Sequence, residues 1–137
     1  MASTLTEAAQ HAHRLRTELI RRGTHAEVLR HCSQEILQRN AFHACLEATK
    51  SLASRLRTLT GVGGDGGTLV DATLTSETDR GEQNGFANLC RGLFGMFRNP
   101  VAHDPRIERP VSDDELLDTL MLVSLLHRRL DAATVNP

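Results

Sequence analysis

Arg98, Asn99 and His103 lie within six positions of one another, just past a segment with helical spacing. An imidazole titrates near neutrality and can take or give a proton. A guanidinium fork can hold a phosphate and offset charge that builds on it. An amide beside them can orient either group. Side chains of these types can contact a phosphate and move a proton, but the spacing by itself assigns no reaction. Upstream, Asn84, Asn88, Arg91, Gly95 and Arg98 recur every three or four residues, so they share one helical stripe. Asn84, Asn88 and Arg91 are the candidate phosphate-binding residues of that stripe. A plainer reading competes. Arg near a helix C-terminus suits the helix dipole, and Asn followed by Pro100 is an ordinary helix ending.

The elements that must position these residues read as helices. Leu5, Ala8, Ala9, Ala12, Leu15 and Leu19 mark a first helix ending near Gly23. Val28, Leu29, Cys32 and Ile36 mark a second, ending near Asn40. A third runs from Phe42 to Leu59, with Gly61 as its cap. Asp79 and Glu82 have capping-box spacing before a fourth, whose apolar set is Phe86, Leu89, Cys90, Leu93, Phe94 and Phe97. Ser112 and Glu115 open a fifth in the same way. Its apolar positions run from Leu116 to Leu130 and are so broad that the helix must be central to the bundle or part of a dimer interface. No alternating strand pattern appears. The expectation is an all-α bundle of four or five helices, one domain over 1–137, with a flexible Gly-rich connection at 61–81. The stretch 61–67 (GVGGDGG) contains G-x-G-x-x-G, but a helix precedes it where a dinucleotide site needs a strand.

Composition bounds the function. The 137 residues carry 39% hydrophobic residues, enough for one core, and a formal charge of -1. That balance excludes a protein that coats nucleic acid or membrane through bulk positive charge. There is no Trp or Tyr and only four Phe, too few for a base-stacking platform. All the basic residues except Lys50 are Arg, so almost every cation can make a forked contact. Cys32, Cys45 and Cys90 form no C-x-x-C pair and read as reduced core thiols. His11 and His13 fall about 200° apart on a helix, poorly placed to share a metal. His25, His31, His43 and His127 read as helix-surface or partly buried side chains. No metal or cofactor is expected. No signal peptide or membrane span is evident, so the expected location is cytoplasmic.

The run EQNGFANLCRGLFGMFRNPVAHD (82–104) resembles the signature region of the HEPN superfamily, in its Ymh-like branch of bacterial proteins. HAEVLRHCSQEILQRNAFHACLEATKSLASRLRTLTG (25–61) is similar to that branch's first helical pair, and DELLDTLMLVSLLHRRLD (114–131) to its last helix. The resemblance spans about residues 24–133. It implies a helical, HEPN-like bundle that dimerises. It also implies a metal-independent endoribonuclease whose catalytic residues are Arg98, Asn99 and His103, acting as a toxin or antiphage-defence effector. RNA, a second copy of the chain and an antitoxin or defence-system protein are the partners implied. The alternative within the same resemblance is a non-catalytic nucleotide- or partner-binding module. A helical dimerising protein with no site is the third reading.

Overall fold

The computed structural model describes residues 2–60, 80–97 and 110–132. Among them are six helices and no strand: α1 (Ala2–Arg21), α2 (Ala26–His31), α3 (Gln34–Arg39), α4 (Ala41–Thr60), α5 (Arg80–Met96) and α6 (Asp113–Ala132). The all-α bundle expected from periodicity is the fold. Two boundaries differ from expectation. The second helix is two short ones, and Arg80 and Gly81 belong to α5 rather than to the connection before it.

Each break has a local cause. α1 ends where Gly23 takes φ +72°, a left-handed conformation that glycine adopts without a Cβ clash. Thr24 N–H then donates to the Leu19 carbonyl (3.1 Å) and Gly23 N–H to that of Ile20 (3.0 Å), closing a Schellman cap. Between α2 and α3, Cys32 leaves helical geometry at φ -121°, ψ 61°. Ser33 then caps α3, its Oγ accepting from Ile36 N–H at 3.4 Å. Arg16 reaches over from α1 and donates to the carbonyls of Leu29 and Cys32, the latter at 2.7 Å. Those carbonyls have no intrahelical partner at the end of α2, and the guanidinium supplies one. α6 begins with the expected cap, Glu115 N–H donating to Ser112 Oγ at 3.1 Å.

Pairings across the bundle give its directions. Ser51 meets His127 and Arg55 meets Asp131, so α4 and α6 run the same way. Phe97 at the end of α5 packs on Phe42 at the start of α4, so α5 runs opposite to both. The broken α2–α3 segment carries the chain from the end of α1 back to the start of α4. It fills the place of one bundle helix. The core between these elements holds Leu15, Leu19, Val28, Leu52, Leu56, Leu93, Leu116, Leu120 and Leu126, all buried. α4 packs against α2, α3, α5 and α6 and is the central helix, while α6 packs against α1, α2 and α4. α5 is held chiefly by α4. Its apolar stripe is wider than its contact. Ala87, Cys90, Leu93 and Phe97 are buried and Phe86 and Phe94 half-buried, but Leu89 stays exposed against expectation.

No helix among the described residues is long and apolar enough to cross a membrane. All three cysteines are free and buried. Burial pushes the thiols of Cys32 and Cys90 up to about 12, so both stay protonated as small apolar side chains.

Candidate functional site

Arg98, Asn99 and His103 lie outside the described residues. What the structure does fix is the point from which they depart. Phe97 N–H closes the last turn of α5 on the Leu93 carbonyl at 3.0 Å. The Phe97 side chain is 1% exposed and lies 5.6 Å from Phe42, centroid to centroid, tilted by 50°. An aromatic pair in the core therefore pins the C-terminal end of α5, the residue immediately before Arg98.

Asn84, Asn88 and Arg91 are all exposed on α5, on one face as their spacing requires. Arg91 donates to Asn88 Oδ1 at 3.2 Å, which holds the two heads together. Gly95 continues the stripe, and a Cβ built there would meet nothing within 4 Å. Packing among the described residues thus gives no reason for a glycine at that helical position. The face exposes two amides and a guanidinium between Asn84 and Gly95, over about three turns of helix. Among the described residues, no group of three or more His, Cys, Asp or Glu side chains could hold a metal.

A second cluster was not expected. His127, read from the sequence as surface or partly buried, is fully buried on α6. Its Nε2 lies 2.9 Å from Ser51 Oγ and its Nδ1 3.2 Å from Arg55 Nη1. Arg55 also donates to the His127 carbonyl (3.1 Å) and to Asp131 Oδ1. His25 caps α2, its Nδ1 accepting from Glu27 N–H at 3.0 Å, and its Nε2 donates to Asp131 Oδ2 at 2.7 Å. The rings of His25 and His127 stack 5.0 Å apart. Ser124 Oγ accepts from His25 N–H at 2.9 Å.

A buried serine on a histidine invites comparison with a nucleophile and its base. The hydrogen-bond directions exclude that role. Arg55 can only donate, so His127 Nδ1 carries the lone pair and Nε2 carries the proton. That proton goes to Ser51 Oγ, and the Ser51 hydroxyl donates to the Ala48 carbonyl at 2.5 Å. The nitrogen facing the serine is thus an acid already, and the hydroxyl points away from it. The cluster is a lock joining α2, α4 and α6. Desolvation, with the nearby His25 and Arg55, lowers the His127 pKa to about 4, which keeps the ring neutral. Arg55, then His25, holds Asp131 below the usual carboxylate range. The signal in the sequence was the i, i+4 spacing of Ser51–Arg55 and of His127–Asp131. It becomes legible only once α4 and α6 are known to pack side by side.

The molecule is thus an all-α helical bundle with an exposed polar stripe on α5 and an internal polar lock. A family of proteins of unknown function, Hypoth_ymh, matches residues 22–130, and the chain belongs to that family. No curated protein and no solved structure matches it.

Proposed function

We propose that the protein is a metal-independent endoribonuclease of the HEPN type, working as a toxin or antiphage-defence effector in the cytoplasm. The observation that carries this reading is the Arg98-Asn99-x3-His103 motif, which starts immediately after the core-anchored Phe97. The polar stripe of Asn84, Asn88 and Arg91 on the same helix supports it, because it extends a phosphate-binding surface back from the motif.

RNA supplies the nucleophile. A base removes the 2′-OH proton, and the oxygen attacks the adjacent phosphorus. The bond to the 5′-oxygen breaks as an acid protonates it, leaving a 2′,3′-cyclic phosphate and a 5′-hydroxyl. One imidazole cannot be base and acid in one event. A two-fold dimer brings two His103 side chains to one cleft, one in each role. Arg98 contacts the non-bridging oxygens as their charge grows, and Asn99 orients His103 or the phosphate. Arg91 takes a neighbouring phosphate.

The test is RNA incubated with purified protein in excess chelator, comparing wild type with Arg98→Ala and His103→Ala. Chelator-resistant cleavage that both substitutions remove is the expected result. Equal cleavage by all three proteins overturns the assignment, and cleavage lost to chelator replaces it with metal chemistry. No cleavage by wild type favours a nucleotide- or partner-binding module built on the same bundle.

A further inference from the structure

The hydrogen bonds of His25 and His127 each leave room for one ring proton and exclude a second. His25 Nδ1 accepts from Glu27 N–H at 3.0 Å, and a backbone amide can only donate. The single ring proton is therefore on Nε2, directed at Asp131 Oδ2 at 2.7 Å. His127 is arranged in the same way, with Nδ1 towards Arg55 Nη1 and Nε2–H towards Ser51. A proton on either Nδ1 sets donor against donor. On His25 it removes the cap of α2, and on His127 it drives the Arg55 guanidinium away. The rings stack 5.0 Å apart and 21° from parallel, so two charged rings repel across the stack.

The bonds at stake are those that hold α2 on α6. α2 has six residues, too few to keep helical form once undocked. Val28 is its one fully buried side chain. Its start is tied to α6 by His25 N–H on Ser124 Oγ, by His25 on Asp131, and by Arg128 on the Gly23 carbonyl. Its end is tied to α1 by Arg16 alone among the side-chain bonds described above. α4 and α6, by contrast, bury leucines along most of their length. The charged and titratable groups around the two rings are Arg55 from α4, Asp131 and Arg128 from α6, Glu27 and His31 from α2, and Arg16 from α1. The carboxylate bonded to the rings, Asp131, is already shared with Arg55. It cannot neutralise a second positive ring as well.

The geometry points to a latch: the neutral His25–His127 pair clamps α2 and the turn before it onto α6, and mild acid releases that segment while the rest of the bundle stays folded. The inference is independent of the ribonuclease reading. Burial, with His25 and Arg55 nearby, holds His127 at about 4 while α2 is docked. Release hydrates the ring and returns it towards its ordinary value near 6.5. Opening thus takes up a proton and is favoured about tenfold for each pH unit between 6.5 and 4.

The experiment is amide hydrogen exchange of the full chain between pH 7 and pH 5, read as protection factors so that the intrinsic pH dependence of exchange divides out. Protection across residues 25–32 is expected to fall about thirtyfold, while that of the buried middle of α4 stays constant. Long-range nitrogen NMR on wild type is expected to show both rings neutral with the proton on Nε2 at pH 7, and His127 gaining its proton as α2 loses protection. His25→Asn keeps a capping oxygen that takes no proton. His127→Gln keeps an acceptor for Arg55 and a donor for Ser51. Each is expected to flatten the response, and the double variant to abolish it.

Protection of α2 that does not change with pH overturns the latch. So does loss of protection in α4 in step with α2, which is global unfolding, or an undiminished response in the double variant. Should a variant fail to fold, wild type decides alone: a charged His127 under a fully protected α2 overturns the inference.

Discussion

Two polar regions of this chain each hold an arginine and use it to opposite ends. On α4 and α6, the arginine, histidine and serine side chains of Arg55, His127 and Ser51 are turned inward and bonded to one another. On α5, Asn84, Asn88 and Arg91 are turned outward, with Arg91 and Asn88 bonded side by side on the surface. The first arrangement uses its donors to join helices far apart in the chain. The second presents its amides and guanidinium at the surface of one helix. A functional residue is thus marked less by its type than by what remains of its bonding capacity after folding.

Substitutions at the two regions should separate cleanly. The largest effect is expected from His103→Ala, which should lower RNA cleavage by roughly 100- to 10,000-fold and leave the melting temperature unchanged. Arg55→Ala should do the opposite. It strands the buried His127 Nδ1, which costs about 1–3 kcal/mol in urea unfolding, with no change in cleavage per folded molecule. If Arg55→Ala abolished cleavage without loss of stability, the contrast would fail.

Acid should also weaken only the internal region. His127 titrates near 4 in the folded chain and near 6.5 when unfolded. The unfolded chain therefore binds the extra proton first. The stabilisation is complete above pH 6.5 and is lost as pH falls toward 4, by up to about 3 kcal/mol. Urea melts across that range should show the slope in wild type and lose most of it in His127→Leu.

The smallest effect sharpens the comparison from the other side. Gly95→Ala adds a methyl where nothing lies within 4 Å, so helix propensity alone should raise stability by up to about 1 kcal/mol. If a phosphate approaches the bare backbone there, cleavage falls while the melting temperature rises. Unchanged cleavage in the stabilised variant would show that the stripe ends before Gly95.

The helices were legible in the sequence because burial imposes its period on residue choice. The ends at Gly23 and Ser112 were legible because their caps use residues with a backbone-specific reason to be there. The break at Cys32–Ser33 was not, since Val28, Leu29, Cys32 and Ile36 keep helical period straight through it. Two short helices bury those side chains as well as one would, and the capping hydroxyl of Ser33 carries no periodic signal. The burial of His127 was hidden for another reason. Its partners Ser51 and His25 lie 76 and 102 positions away, beyond any local pattern. The candidate catalytic trio was read from a family resemblance and lies outside the described residues, whereas the packing of Phe97 on Phe42 just before it needed the fold.

The three buried thiols give the molecule a built-in clock. A maleimide or disulfide reagent needs thiolate and access, and the native chain offers neither at Cys32 or Cys90. Each labelling event therefore records an opening of the structure around it. Cys90 rides on α5, whose main hold is α4, while Cys32 and Cys45 sit in the packing of α2, α3 and α4. Their separate labelling rates would time the peeling of the motif-bearing helix against the loosening of the whole bundle, with no probe added to the chain.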